Sequence, residues 1–534
     1  MKPQGEISVV DRALNNPIIL IEILKRSPLK KCRLVCQFWN ELVLTLPNTK
    51  LALNLEYEAK SQADYNGNAN KFSELCFTLD DRLAKRISAT CISAPYGVHP
   101  ILWIDPFAYR LTHFCYKFSD IVQIFEISFD YAPCLPSIFQ ILKNYCPNLK
   151  QFRIAYEFFD DDDSDLDFRQ EILPNLSGPL LLRPKLTLLT VRSDVQVTPP
   201  LANLLQLVVN ASPNLREVTI PWGFYPDFAS SKHLSSLRVE LDARRTIEDA
   251  LVDLKPSELS RSLSQVGDQL INLTFSGPDN YLLPKRNEAY NLNNSNRTKF
   301  KLPRKMSKLQ KFENNLLDVF QHQRLDIGGL PALKTLKIGK ILKKSRDVDE
   351  LFENINQEKM VLQSMRNLTI NEMHNPKLLE GLKTTFPNLE SLELNTRCEI
   401  DFKGEVTTMN LDVVLNACKG WEGLKYLNLR LPNFSPNQHV IQSLLDRSDL
   451  YKELKTLEIL IYRGNYERRD LTKNEMQQFK KLLVAMDVMN RVSIHNIFVS
   501  KKSRWKILNF MVSNGMSVTK FKIFQGGLTC RDRL

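Results

Sequence analysis

Apolar residues recur along the chain at a fixed spacing, and the tightest copies of the pattern carry a proline. Four segments share it: CPNLKQFRI at Cys146–Ile154, SPNLREVTI at Ser212–Ile220, LPALKTLKI at Leu330–Ile338 and FPNLESLEL at Phe386–Leu394. Each has Pro, then Asn or Ala, then Leu, a charged residue, and apolar residues three and five places after that Leu. The prolines stand at 147, 213, 331 and 387, separations close to multiples of about 30 residues, the period of a repeat protein. Looser copies begin at Leu186, Leu234, Leu270, Met365, Leu424, Leu454, Met489 and Val518. Earlier candidates are IFEISF at Ile124 and FSELCF at Phe72.

Apolar residues two apart put both side chains on one face of a strand, and the residue between them faces the other way. In the copies from Leu149 onward that residue is Arg153, Thr190, Thr219, Arg238, Thr274, Lys337, Thr369, Glu393, Asn428, Glu458, Ser493 and Lys522, polar every time. Helix-compatible stretches such as Leu411–Cys418 and Met476–Met489 lie between strands. One strand and one helix per unit, stacked, predict an α/β architecture with a parallel sheet on the concave face and helices outside. Leu149, Phe152, Ile154, Leu215, Val218, Ile220, Leu389, Leu392, Leu394, Leu424, Leu427 and Leu429 are the expected core.

This pattern resembles leucine-rich repeats, in about sixteen irregular units of roughly 24–37 residues. The Asn common at the ninth position of such units is mostly missing, so other groups must satisfy the backbone there. In such a solenoid the polar row is the expected target-binding surface, and Arg238, Lys337, Glu393, Tyr426, Asn428 and Arg430 are the candidates. Two stretches interrupt the rhythm. EFFDDDDSDLDF at 157–168 holds six Asp and reads as a solvated loop, since the spaced ligands and turn Gly of a Ca²⁺ loop are absent. Residues 278–325 carry ten Lys/Arg against four acids, +6 of the chain's net +12. This basic insertion is expected to leave the surface between two stacked repeats, with the strand at Leu270 directly beside the strand at Leu333 and a helix only at Leu309–Phe320. It reads as a tolerated insertion, a nuclear address or a holder of an acidic partner.

Residues 16–43 read NPIILIEILKRSPLKKCRLVCQFWNELV. Pro17 can open a helix, Leu20, Ile21, Ile23 and Leu24 give it an apolar side, and Pro28 ends it. Leu34, Val35, Phe38, Trp39 and Leu42 form the stripe of a second helix. Two short apolar helices cannot bury themselves alone. The segment resembles an F-box: Pro17, the Ile23-Leu24 pair, and Leu34-Val35-Cys36-Gln37-Phe38-Trp39 supply the family's pattern. The resemblance implies docking on a Skp-type adaptor, and through it on a cullin ubiquitin ligase, by Pro17, Leu20, Ile21, Leu24, Leu34, Val35, Cys36 and Trp39. Pro17, Leu20, Leu24, Leu34, Val35 and Trp39 are expected to form one partly exposed apolar patch. The organisation expected is a tail at 1–13, F-box-like helices at 14–50 and the repeats at 51–534.

Composition narrows the chemistry. With 43% hydrophobic and 25% charged residues the chain is not a disordered one. Only 18 glycines in 534 residues, about half the usual share, count against phosphate-cradling loops. No apolar run is long enough for a membrane span, and the first residues lack the plan of a signal peptide. These place the chain in the cytoplasm or nucleus, with its ten cysteines reduced. Cys32 and Cys36 have a spacing that metal pairs use, but no second pair or His cluster follows. No Walker, zincin or nucleophile-elbow motif occurs. The expectation is a non-enzyme without metal or cofactor, a monomer within a ligase complex that recognises a protein target. The alternatives are a leucine-rich scaffold with a decayed F-box, favoured by the short basic linker KRSPLKK, and, ranked last, nucleic-acid binding through the basic insertion.

Overall fold

In the computed structural model the described residues are 16, 20, 37–45, 53–56, 76, 78–91, 100–130, 132–157, 176, 178–242, 253–277, 298–299, 302–317, 320–321, 325, 327–340, 347–396, 409–432, 437–462, 470–495 and 499–524. They fall into two compact units, 1–234 and 235–534.

The elements described in the first unit include helix α1 (Gln37–Thr45) and strand β1 (Leu53–Glu56). There follow β2 (Arg86–Cys91), α2 (Pro100–Lys117), β3 (Ile124–Phe129), α3 (Leu135–Asn144), β4 (Gln151–Tyr156), β5 (Leu188–Ser193), α4 (Pro199–Asn210) and β6 (Glu217–Pro221). Its strands pair in chain order, all parallel.

The second unit runs β7 (Ser236–Glu240), α5 (Pro256–Val266), β8 (Asn272–Ser276), the two-residue β9 (Thr298–Lys299), β10 (Lys311–Asn314), the two-residue β11 (Phe320–Gln321) and β12 (Thr335–Ile338). Then come α6 (Asp347–Gln357), β13 (Asn367–Asn371), α7 (Leu378–Thr385), β14 (Ser391–Asn395), α8 (Leu411–Cys418), β15 (Tyr426–Pro432), α9 (Asn437–Leu445), β16 (Thr456–Tyr462), α10 (Lys473–Met486), β17 (Arg491–His495), α11 (Lys501–Ser513) and β18 (Phe521–Phe524). Apart from β9 and β11, which pair with each other, these strands again pair parallel in chain order. Parallel strands joined in sequence by helices are the architecture of a leucine-rich-repeat solenoid, and the expected fold class holds. Among the described residues the sheet strands number six in the first unit and ten in the second.

The proline-bearing motif has a structural reason. In each copy the Leu N–H bonds back to the carbonyl three residues earlier: Leu149 to Cys146, Leu215 to Ser212, Leu333 to Leu330 and Leu389 to Phe386. Pro occupies the second place of that turn, where its fixed φ is favourable. The Asn after it stitches repeats together. Asn148 Nδ2 donates to Asp120 O at 2.7 Å, Asn214 Nδ2 to Pro184 O at 2.8 Å and Asn388 Nδ2 to Gln363 O at 2.9 Å, each acceptor lying in the preceding repeat's turn. All twelve of the expected core residues are buried.

Two expectations are corrected. The strand at Leu270 does not lie beside the strand at Leu333: β10 pairs with β8 on one side and β12 on the other. The stretch expected to be helical, Leu309–Phe320, therefore supplies a strand. Met306, Leu309 and Phe312 are fully buried at the repeat's apolar positions, but Asn314 occupies the last one, in register with Phe275 and Ile338. Its Oδ1 accepts the Leu316 N–H at 2.8 Å, turning the chain at the strand's end. A polar residue in an apolar slot hid the repeat. Of the candidate strand at Phe72–Phe77 only Cys76 is described, and it is helical; the others lie outside the described residues. The strand before β3 is RISATC, whose inward side chains Ile87, Ala89 and Cys91 are mostly small.

Arg183 was not foreseen either. Its guanidinium is 2% exposed and donates to the carbonyls of Leu142, Tyr145 and Cys146, the Tyr145 bond being 3.0 Å. Leu142 and Tyr145 stand at the end of α3, where carbonyls lack helical partners; the Cys146 carbonyl also accepts the Leu149 N–H. Cys146 sits just past that end at φ +56°, a left-handed closure of the helix. The described cysteines 76, 91, 115, 134, 146 and 418 are free and buried. Burial pushes the Cys418 thiol up to about 12, which leaves it protonated and unreactive.

Two substitutions test these roles by urea unfolding. Phe312→Ala is expected to destabilise by about 3–5 kcal/mol, the cost of truncating a core Phe, and a surface-like effect would remove β10 from the stack. Arg183→Met leaves buried carbonyls unsatisfied and is expected to cost about 1–3 kcal/mol.

Candidate functional site

In the second unit, residues facing away from the leucines form three rows across the sheet. The central row is Arg238, Thr274, Glu313, Lys337, Thr369, Glu393, Asn428, Glu458, Ser493 and Lys522, each in register with the next. Every member but Glu313 belongs to the series read from the sequence. In the first unit the equivalent row is Asn54, Ser88, Glu126, Arg153, Thr190 and Thr219. There Glu126 is held between Arg86 (2.7 Å) and Arg153 (2.9 Å), so its charge is neutralised within the sheet.

The candidate target-binding residues separate along this row. Glu393 and Asn428 are register partners on β14 and β15, with Tyr426 and Arg430 flanking Asn428 on the same face. Lys337 lies two strands before Glu393. Arg238 lies six strands from Asn428 on β7, roughly 29 Å at the usual spacing, and its Nε is 2.6 Å from Glu240. The structure thus brings together Glu393, Tyr426, Asn428 and Arg430 and leaves Arg238 apart. Among the described residues Lys337, Glu393 and Arg430 are in no ion pair. Tyr426 is 45% exposed.

The cluster extends beyond those four, onto β16 and β17. Thr456 and Glu458 stand beside Tyr426 and Asn428, and Arg491 and Ser493 stand beside them in turn. His495 Nε2 is 3.7 Å from Glu458 Oε1. Burial holds the His495 imidazole below its ordinary range; Glu458 opposes this, and Arg430 and Arg491 reinforce it. Asn428 Oδ1 and Ser493 Oγ are buried and take no hydrogen bond among the described residues. The patch therefore offers an exposed Tyr, two Arg, two Glu and a neutral His: side chains that hold a protein surface. Arg491 and His495 were missed because one lies before and one after the central row, and the register is needed to place them.

On the N-terminal side, Leu20, Trp39 and part of α1 are described, while Pro17, Ile21, Leu24, Leu34, Val35 and Cys36 lie outside the described residues. Leu20 is fully buried, which corrects its expected exposure in an apolar patch. Trp39 is half-buried and Phe38 is 39% exposed. Glu41 ties α1 to the first repeats: Arg82 donates to its two oxygens at 2.7 and 3.1 Å, and bonds Asp80 as well. The Arg82 hydrogen bond holds the Glu41 carboxyl below its usual range. No described helix is long and apolar enough to cross a membrane. No group of three or more potential metal ligands occurs among the described residues.

No family model matches the chain, and no curated protein does. Among solved structures, a protein from Bacteroides fragilis superposes with a TM-score of 0.30 at 12% identity, covering 53% of this chain and 73% of its own. TLR13, in a complex with ssRNA13, gives 0.28 at 12% identity, covering 77% of this chain and 59% of its own. At such TM-scores neither likeness carries an argument. The assignment to the leucine-rich-repeat class rests on this chain's own strand order, register and turn chemistry.

The His495 environment gives a signed prediction. Because its folded pKa is depressed, the native state binds fewer protons than the unfolded chain below the ordinary value of 6.5. Stability contributed by the neutral imidazole is present above that value and is lost as pH falls towards the folded pKa. Glu458→Gln removes the charge that favours the imidazolium. It is expected to lower the His495 pKa further in an NMR titration, and an upward shift would contradict the arrangement.

Proposed function

We propose that the protein is a protein-binding scaffold whose target contacts the face of β12 to β17, and that it serves as the substrate-recognition subunit of a cullin-type ubiquitin ligase. The observation that carries the first part is the cluster of Tyr426, Arg430, Glu393, Glu458 and Arg491 on rigid adjacent strands. Tyr and Arg on a preorganised surface are the residue types that dominate interface energetics. The finer reading is supported by the RLVCQFW run at Arg33–Trp39 and by the exposed Phe38 on α1. The bidentate Arg82–Glu41 pair gives α1 a fixed orientation on the first repeats, which suits a subunit that must hold an adaptor and a target at once.

The mechanism in this reading is proximity. One surface binds the Skp-type adaptor, the sheet face binds the target, and the chain raises the target's effective concentration at the ligase without a reaction of its own. The scaffold reading without a ligase remains the alternative.

Co-purification with a Skp-type adaptor tests the proposal. Wild type should recover it, and Leu34→Ala/Trp39→Ala should recover at least about tenfold less, a loss typical of hot-spot truncation. Equal recovery from both leaves the scaffold reading alone. Tyr426→Ala/Arg430→Glu should retain the adaptor and lose captured target.

A further inference from the structure

The charge of the chain is concentrated a second time, at its last described repeats. Residues 470–524 hold ten Lys/Arg against three acids, a surplus of +7 in a chain of +12. All three acids are engaged locally. Glu475 closes the capping box of α10 with Thr472. Asp487 accepts from Lys520 at 3.3 Å. Asp470 accepts from Ser500 and lies 3.9 Å from Lys502. Lys473 and Lys481 on α10, and Lys501, Arg504 and Lys506 on α11, are in no ion pair among the described residues.

The two helices are neighbours, with Lys480 Nζ 4.9 Å from the centre of the Phe510 ring. Since all strands run one way, the helices that return between them run parallel. Each turns its wide apolar side inward: Phe479, Leu482, Leu483 and Met486 on α10, and Ile507 and Met511 on α11, are buried. The outward stripes nevertheless carry large apolar residues. Val484 and Val488 lie along and just beyond α10, Trp505 and Val512 along α11, and each is more than half exposed. The outer stripe of a surface helix is ordinarily polar. Here an exposed Trp and three Val are set among unpaired Lys and Arg.

We infer that the outer face of α10 and α11 is a second docking surface, for an acidic polypeptide segment with apolar anchors. Charge complementarity selects the acidic partner, and Trp505 with the valines selects the anchors. The valines offer no stacking planes of the kind single-stranded nucleic acid uses. An interfacial membrane helix would need its broad apolar face free, and that face is committed to the core. This surface is separate from the sheet face assigned to the target.

Fluorescence anisotropy of the full chain tests it, with a labelled peptide of about twelve residues, mostly Asp and Glu around two Phe. Binding is expected to weaken between about 0.05 and 0.3 M salt. Trp505→Ala and Lys481→Glu/Lys506→Glu should each weaken it about tenfold or more with unchanged thermal unfolding, since all three positions are exposed. Tyr426→Ala/Arg430→Glu, on the sheet face, should bind as wild type, which separates failure here from failure of the target-binding proposal. Absence of peptide binding overturns the inference. Equal binding by the α10–α11 variants does so too, as does tighter binding of single-stranded RNA or phosphatidylserine vesicles than of the peptide.

Discussion

A repeat of this protein cannot bury its own strand. Its inward leucines, such as Leu392 and Leu394, are covered only because the strands before and after bring Leu368 and Ile370, Leu427 and Leu429 into register beside them. Burying each such side chain is worth about 1.5–3 kcal/mol, so the stack is held by nearest-neighbour contacts. The same pairing fixes the direction of every strand and therefore which side chain turns outward. The candidate site is a by-product of that constraint: with one side chain in two committed to the core, the alternate positions are free to vary.

The register depends on turns as much as on leucines. Pro-Asn-Leu was legible because its three residues act separately: Pro fixes φ, Asn bonds to the previous turn, and Leu is buried. Where one short run of residues does all of this, the repeat stands out. Where the roles are divided among distant residues, it does not. The β10 repeat replaces its last apolar residue with Asn314, and β2 fills its inward positions with Ala89 and Cys91. Arg183 leaves no sequence mark, because a lone arginine before Pro184 looks like a solvated surface residue. Its role comes from three carbonyls contributed by α3 and the residues after it, some forty positions earlier in the chain.

The site was half legible for a related reason. Period-two alternation identified Glu393, Asn428, Glu458 and Ser493 as outward, since one strand suffices to decide that. Which outward residues meet depends on the pairing of separate strands. Thus Tyr426, Thr456 and Arg491 come together across three repeats, whereas Arg238, alike in sequence context, is placed far off and engaged by Glu240. A charged residue on the face is available to a partner only if neither its own strand nor a neighbouring one supplies its counter-ion.

The same rule explains how the second unit distributes its charge. Near its start, opposite charges sit two apart on one strand, Arg238 with Glu240 and Lys311 with Glu313, and cancel locally. Near its end the spacing changes. Tyr426, Asn428 and Arg430 on β15 hold a single charge, β16 holds Glu458, and Arg491, Ser493 and His495 on β17 hold another positive charge. No strand there can neutralise itself: Glu393 and Glu458 stand on β14 and β16, Arg430 and Arg491 on β15 and β17, and among these Glu458 alone has a basic side chain close by, His495 Nε2 at 3.7 Å, so each strand is left with an uncancelled charge of its own. Exposed ion pairs contribute little to stability, so this imbalance costs the fold little, and the surface is left with charge that an incoming partner can satisfy.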